Sequence, residues 1–138
     1  MKRILLLIVL LSVLSCKQEI TEADISNLNG YWEIEKVELP DGDKKEYKVN
    51  ETIDFFKIEA NKGFRKKVMP QLDGTYLTND IQEDVVVVVK DGDASLQYKT
   101  TYASWKEEII ELTKDKLVVK NQQEIEYYYK RPAKFSVK

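Results

Sequence analysis

Between Gly30 and Arg131, short runs of alternating apolar and polar residues follow one another, separated by turn residues. No stretch shows a sustained 3.6-residue period, so the pattern predicts strands rather than helices. Four glycines, at positions 42, 63, 74 and 92, stand between apolar runs, and three of them belong to Asp-Gly pairs. Asp-Gly accommodates the positive φ angles of tight hairpin turns. The sequence therefore predicts an all-β fold of antiparallel strands with short connections.

The alternating runs define eight or nine antiparallel strands. We predict them at Tyr31–Leu39, Thr52–Glu59, Phe64–Met69, Thr75–Asn79, Asp84–Lys90, Ser95–Tyr102, Trp105–Leu112, Leu117–Asn121 and Glu124–Arg131. An up-and-down β-barrel is the most economical closure of such a meander, because a closed sheet has no exposed edges. A β-sandwich is the alternative. Before the strands, Thr21 and Asp24 fit a capping arrangement that predicts a short helix or 3₁₀ turn, with a charged, disordered tether as the alternative.

The alternation also predicts which side chains face the barrel interior. The first strand begins with Trp32 and Ile34 inside and then changes phase, which indicates a bulge, and we expect a similar break at 55–56. The five valines of Val85–Val89 favour a strand buried on both faces, with an exposed apolar strip for a partner as the alternative. Large aromatic side chains are expected inside at Phe56, Tyr76, Tyr98, Tyr102, Trp105, Tyr127 and Tyr129.

The first sixteen residues have the pattern of a secretory signal peptide. Lys2 and Arg3 precede an apolar run over 4–11, and Cys16, the single cysteine of the chain, follows the small residue Ser15. The apolar run is shorter than the roughly 20 residues that a transmembrane helix needs. The pattern resembles a bacterial lipobox, in which cleavage precedes the cysteine and lipid is attached to its sulfur. An ordinary thiol that is discarded with the signal peptide is the alternative.

This pattern sets the expected organisation and location of the chain. We expect a signal peptide at 1–15, a lipidated N-terminus and tether at 16–27, a barrel at 28–131 and a C-terminal tail at 132–138. In lipoproteins of Gram-negative bacteria, Asp directly after the acylated cysteine often retains the protein at the inner membrane. Lys17 stands there instead. The resemblance therefore implies the outer membrane, on its periplasmic or surface face.

The composition argues against several classes of function. Without Lys2 and Arg3, 20 basic residues stand against 24 acidic ones, a formal charge of −4, and no basic stripe suggests nucleic acid. The chain has no histidine, and its one cysteine is the lipidation site, which excludes zinc sites and Ser-His or Cys-His catalysis. No phosphate-binding loop or nucleophile elbow is present. We expect no catalytic residues, no metal, no cofactor and no enzyme activity.

Gly30 and Trp32 form a Gly-x-Trp motif at the start of the first strand, and Arg131 ends the last one. With Asp-Gly-Thr-Tyr at 73–76, this layout resembles the lipocalin-like domains of small bacterial lipoproteins over about residues 28–131. The resemblance implies that Trp32 closes one barrel end and that Arg131 packs across its ring, a cation–π pair worth about 0.5–2 kcal/mol. Gly30 would let the backbone approach the barrel bottom closely.

Two functions are consistent with such a barrel. The first is binding of a small amphipathic or hydrophobic molecule by the inward-facing rings, with a solid aromatic core as the alternative. The second is a protein-interaction module, such as an inhibitor, an immunity-type protein or an accessory subunit. Its candidate surfaces are the loops at 41–48 and 61–67, the second of which carries Lys62, Arg65, Lys66 and Lys67. In both cases we expect a monomer held at the membrane by its lipid anchor, with an envelope protein as partner in the second case.

Overall fold

The computed structural model describes residues 17–79 and 81–133. The predicted signal peptide, the lipidation site Cys16 and the end of the predicted tail lie outside the described residues. Within the two described ranges, no helix has the length and apolar character that crossing a membrane requires.

One short helix and ten strands make up the described chain. The helix is a 3₁₀ helix at Glu22–Leu28. The strands are β1 (Gly30–Glu38), β2 (Lys44–Glu46), β3 (Ile53–Glu59), β4 (Lys62–Pro70), β5 (Tyr76–Thr78), β6 (Glu83–Lys90), β7 (Asp93–Lys99), β8 (Ser104–Leu112), β9 (Lys116–Asn121) and β10 (Glu126–Lys130).

Eight of these strands form a closed antiparallel barrel. The hydrogen-bonded order is β1-β3-β4-β6-β7-β8-β9-β10, and β10 pairs again with β1. The other two strands lie outside the wall, with β2 on β1 and β5 on β4. The predicted up-and-down barrel is therefore confirmed. The strand predicted at Thr75–Asn79 exists as β5 but is not part of the wall, and β2 was not predicted because it contains only charged residues.

The turn between β3 and β4 differs from the expected one. Ala60 and Asn61 occupy it with φ angles of 50° and 63°, whereas Gly63 lies inside β4. The reason for glycine at that position is space, because a Cβ on Gly63 would lie 1.7 Å from the carbonyl oxygen of Lys57. The two facing strands approach so closely here that a larger residue would force them apart.

The predicted bulge in β1 is confirmed, since its register with β10 shifts between Ile34 and Lys36. The break expected at 55–56 is wrong: β3 pairs with β4 without a shift. Phe56 faces the core, and Phe55 lies on the outer face of the barrel. On the outer face, Phe55 contacts Tyr31, which stacks on Tyr76 of β5, so β5 covers this part of the barrel wall.

The prediction that Val85–Val89 is buried on both faces is wrong. Val85 and Val87 belong to the core, but Val86 and Val88 are 38% and 40% exposed. Simple alternation along β6 therefore places its valines alternately inside and outside the barrel.

The chain before β1 packs against the barrel instead of forming the expected tether. The Gln18 side chain accepts a hydrogen bond from the Leu112 N–H at 2.9 Å and donates one to the Leu112 carbonyl oxygen at 3.0 Å. Ile20 is buried, and its N–H donates to the carbonyl oxygen of Gly92 at 2.9 Å. The helix predicted from Thr21 and Asp24 is confirmed, and the Asp24 carboxylate accepts the Thr21 N–H at 2.9 Å.

Side chains from this N-terminal segment cover one end of the barrel, the closed end. Ile20, Ile25 and Leu28 pack there with Trp32 in a single apolar cluster. The opposite end, the open end, begins where β3, β6 and β8 start and where β4, β7 and β9 finish. The interior thus changes from apolar to polar along the barrel axis, and its open half contains the polar side chains described below.

Candidate functional site

The closed end is held by Arg131 at the end of β10. Its guanidinium carbon lies 3.7 Å from the centroid of the Trp32 ring. The same guanidinium donates hydrogen bonds to the carbonyl oxygens of Asn27 at 2.7 Å, Tyr31 at 3.0 Å and Lys114 at 2.7 Å. These are the positions that the sequence resemblance gives to Trp32 and Arg131. The three hydrogen bonds of Arg131 connect the helix, β1 and the β8–β9 turn.

Gly30 has the conformation that this closure requires. Its φ angle is +108°, in the region where glycine is favoured over other residues. A Cβ at this position would lie 3.2 Å from Nη1 of Arg131. Gly30 therefore leaves room for the guanidinium that covers Trp32.

The open end contains a pocket of about 340 Å³. Aromatic, charged and amide side chains line it: Arg65, Lys67, Trp105, Lys106, Glu107, Asn121, Gln122, Gln123, Tyr127 and Tyr129. Strand pairing fixes the positions of two of these rings. Trp105 on β8 lies opposite Tyr98 on β7, and Tyr127 on β10 lies opposite Val119 on β9. The pocket therefore combines apolar rings with hydrogen-bonding groups, as ligand sites commonly do.

A charged cluster lies at the floor of this pocket. Arg65 and Glu83 are cross-strand neighbours on β4 and β6 and form a two-point ion pair, with Nε–Oε1 at 2.8 Å and Nη2–Oε2 at 2.7 Å. The guanidinium also lies 4.2 Å from the centroid of the Tyr98 ring. Beside it, Lys67 Nζ pairs with Asp54 Oδ1 at 2.6 Å.

Glu107 is the carboxylate of this cluster with the longest ion-pair distance to a cation, and the Tyr98 hydroxyl is its neutral hydrogen-bonding neighbour. It is 7% exposed, and its Oε1 accepts no hydrogen bond from any described residue. The nearest cation is Arg65, whose Nη1 lies 3.8 Å away, beyond hydrogen-bond distance. A buried carboxyl oxygen that aims into a polar pocket without a donor is an acceptor ready for a ligand.

Burial is the main reason why the pKa of Glu107 is raised above its usual range. The neighbouring Tyr98 hydroxyl and the Arg65 guanidinium lower this pKa without cancelling the effect of burial. The carboxylates of Asp54 and Glu83 raise it. Burial also raises the pKa of the Tyr98 phenol, which therefore remains protonated at neutral pH. Glu107 consequently binds a proton more readily than an exposed glutamate does.

Comparison with protein families identifies the fold. Residues 28–119, about two thirds of the chain, match the family described as Lipocalin-like domain. This chain belongs to the lipocalin-like domain family. Among solved structures, a lipocalin-like protein from Bacteroides uniformis is similar, with a TM-score of 0.50 and 12% sequence identity over 77% of this chain and 99% of that one. At that identity the likeness shows the fold alone. No curated protein matches the sequence significantly.

The lipocalin-like barrel brings five of the seven predicted aromatic side chains inside. Trp105, Tyr127 and Tyr129 line the open pocket. Phe56 and Tyr98 are buried, and the Tyr98 ring stacks on its cross-strand partner Trp105 with 5.4 Å between centroids.

The other two aromatic residues are outside, contrary to prediction. Tyr76 lies on the outer face, where its ring stacks on Tyr31 with centroids 4.1 Å apart. Tyr102 is 96% exposed, because β7 ends at Lys99 and Tyr102 belongs to the following turn. Neither side chain contributes to the open-end pocket.

The proposed basic loop at 61–67 is also corrected. Most of it belongs to β4, where Arg65 and Lys67 turn inward to pair with Glu83 and Asp54. The lipocalin-like domain therefore has its key polar groups inside the barrel, and sequence reasoning missed all of them. One signal could have revealed them: in β8, Glu107 alternates in phase with Trp105 and Ile109, which face the interior.

Proposed function

We propose that this protein binds a small amphipathic molecule at the open end of its barrel and is held at the outer membrane by lipid on Cys16. The open pocket of about 340 Å³ is the observation that supports ligand binding. Its walls offer the faces of Trp105, Tyr127 and Tyr129, and its floor offers hydrogen-bonding groups. Rings with polar tips beside buried polar groups suit a molecule with one apolar and one polar part.

The core limits how deep such a ligand can go. Phe56, Leu96 and Ile109 are buried in one apolar cluster with Trp32, and Phe56 and Leu96 are the cross-strand partners of Arg65 and Glu107. Eight-stranded barrels are just wide enough to be filled by their own side chains or to hold one small ligand. Here the closed half is filled, so the ligand occupies the open half and keeps one side near solvent.

The N-terminal segment supports a defined orientation at the membrane. Lys17, the residue after Cys16, forms ion pairs with Asp93 and Glu108, and Gln18 is bonded to the backbone at the end of β8. An acyl chain on Cys16 would therefore hold the barrel directly rather than through a long tether. Because these contacts lie toward the closed end, the open pocket would face away from the bilayer.

Ligand uptake tests the binding half of the proposal. Native mass spectrometry of the full-length protein, extracted from its own membrane in mild detergent, should show a bound small molecule. The same protein should also bind a fluorescent apolar probe, and Tyr127→Ala should weaken that binding at least tenfold. Tyr102→Ala is the matched control and should have no effect, because this tyrosine is 96% exposed and is not among the residues that line the pocket. An empty barrel that takes up no probe would contradict the proposal.

A further inference from the structure

The charges inside the open end are unequal in number. Two cations, Arg65 and Lys67, stand against three carboxylates, Asp54, Glu83 and Glu107. Arg65 is engaged by Glu83 and Lys67 by Asp54, at 2.7 Å and 2.6 Å. Glu107 is therefore the acid of the cluster that has no cation within hydrogen-bond distance.

From this arrangement we infer that the ligand carries a protonated primary or secondary amine, which donates a hydrogen bond to Oε1 of Glu107. The inference rests on the proposed binding function and names the chemical class of the ligand. A buried carboxylate without a partner is costly, and a charged donor removes that cost by pairing with it. An ammonium group would bring the interior charges to three of each sign.

The walls around Glu107 favour the same chemistry. Trp105 lies two residues before it on β8, and Tyr127 and Tyr129 line the same pocket from β10. Aromatic faces attract cations, and tryptophan does so most strongly. The apolar body of the ligand would pack against these rings while its ammonium reaches the carboxylate. An anionic ligand would meet the Glu107 carboxylate, whereas Arg65 and Lys67 are already paired and the lining cation Lys106 lies on the exposed outer face of β8.

Arg65 offsets the charge of Glu107 only in part. Its two-point ion pair with Glu83 and its position over the Tyr98 ring fix the guanidinium 3.8 Å from Glu107. Moving toward Glu107 would break a charge-assisted pair, which is among the stronger side-chain interactions. In the folded barrel, Oε1 of Glu107 therefore lacks a hydrogen-bond donor, and a ligand can supply one.

Three compounds with one shared body test the inference: 2-phenylethylamine, 2-phenylethanol and 3-phenylpropionate. Isothermal titration calorimetry of the full-length protein in matched detergent, at pH 7, should show the amine binding at least tenfold more tightly than the alcohol. The carboxylate should bind more weakly than the alcohol. A fourth compound, the trimethylated amine, should lose most of the advantage because it has no N–H to donate.

Glu107→Gln is the variant that removes the acid while keeping the shape of the side chain. It should bring the affinity for the amine to within about twofold of the affinity for the alcohol. Glu59→Gln, an exposed position at the closed end, removes the same charge and should leave the preference for the amine unchanged. Circular dichroism checks the fold of both, and the comparison on the unaltered protein decides the question if Glu107→Gln does not fold.

The outcomes separate this inference from the binding function itself. If the amine and the alcohol displace the fluorescent probe equally well, the inference is overturned while probe binding still supports the proposed function. If Glu107→Gln keeps the full preference for the amine, the assignment to Glu107 is overturned. If neither the probe nor any of the compounds binds, both the inference and the proposed function fail.

Discussion

At the scale of single residues, Glu107 couples the chemistry of the pocket to the stability of the fold. Its raised pKa means that the folded protein binds this proton more tightly than the unfolded chain does. The contribution of Glu107 to the free energy of unfolding is therefore most favourable below the usual glutamate pKa. This contribution is lost as the pH rises through the raised pKa of the folded state. The charged and titratable groups that face it come from five strands: Asp54, Arg65, Lys67, Glu83, Tyr98, Tyr127 and Tyr129.

The prediction is that Glu107→Gln stabilises the protein at pH 8 and loses this advantage near pH 4. Glutamine has the shape of the protonated acid but cannot ionise, so it avoids the cost of a buried charge at high pH. Urea unfolding followed by tryptophan fluorescence at several pH values measures the difference. The control Glu59→Gln should differ little from the unaltered protein at either pH. An equal effect of Glu107→Gln at both pH values would contradict the assignment.

At the scale of secondary-structure elements, Arg131 connects three parts of the chain: the 3₁₀ helix, β1 and the β8–β9 turn. Arg131→Ala removes three hydrogen bonds to backbone carbonyls and the stacking on Trp32. We expect it to lower the free energy of unfolding by about 2–4 kcal/mol. Arg131→Lys keeps the charge but not the planar set of donors, so it should recover only part of the loss. Lys130→Ala, at an exposed neighbouring position, should change stability by less than about 0.5 kcal/mol, as chemical denaturation can show.

Strand alternation predicts an element well where only one face of the sheet is buried. In β10 it correctly assigned Tyr127 and Tyr129 to the interior, and in β1 it located the bulge after Ile34. It failed in β3, where Phe55 is apolar although it faces outward. The β4–β5 hairpin covers that outer face, and such tertiary cover cannot be read from the local pattern. Tyr76 was misplaced for the same reason.

At the scale of the whole molecule, the barrel interior changes from apolar to charged along its axis. The sequence predicted the closed barrel, its eight or nine strands and five of the seven interior aromatic residues correctly, because hydrophobic alternation and turn residues report on these features. It did not predict the polar half. Arg65 was predicted in a basic surface loop, and neither Glu83 nor Glu107 was assigned to the interior, because charged residues usually are exposed and only long-range strand pairing brings these three together. The pocket is therefore a product of the closed topology rather than of a local motif.

The predicted lipid anchor belongs to the whole molecule as well, because the segment after Cys16 is bound to the barrel. An acyl chain on Cys16 would therefore hold the folded domain at the membrane. Each buried CH₂ of an acyl chain contributes about 0.8 kcal/mol to membrane affinity, so Cys16→Ser should move the protein from the membrane fraction to the soluble fraction. Cell fractionation measures this, with Ser26→Ala, which leaves Cys16 intact, as the control. Retention of the serine variant in the membrane would refute the anchor.

Orientation at the membrane follows from the position of that segment and can be measured separately. In the lipidated protein, a fluorophore attached at Lys114→Cys would lie at the closed end, and one at Gln123→Cys would lie beside the open pocket. Both side chains are exposed, so labelling should disturb the fold little. Nitroxide-labelled lipids should quench the fluorophore at position 114 more strongly than the one at 123, because the anchored end faces the bilayer. Equal quenching, or the reverse order, would show that the open end does not point away from the membrane.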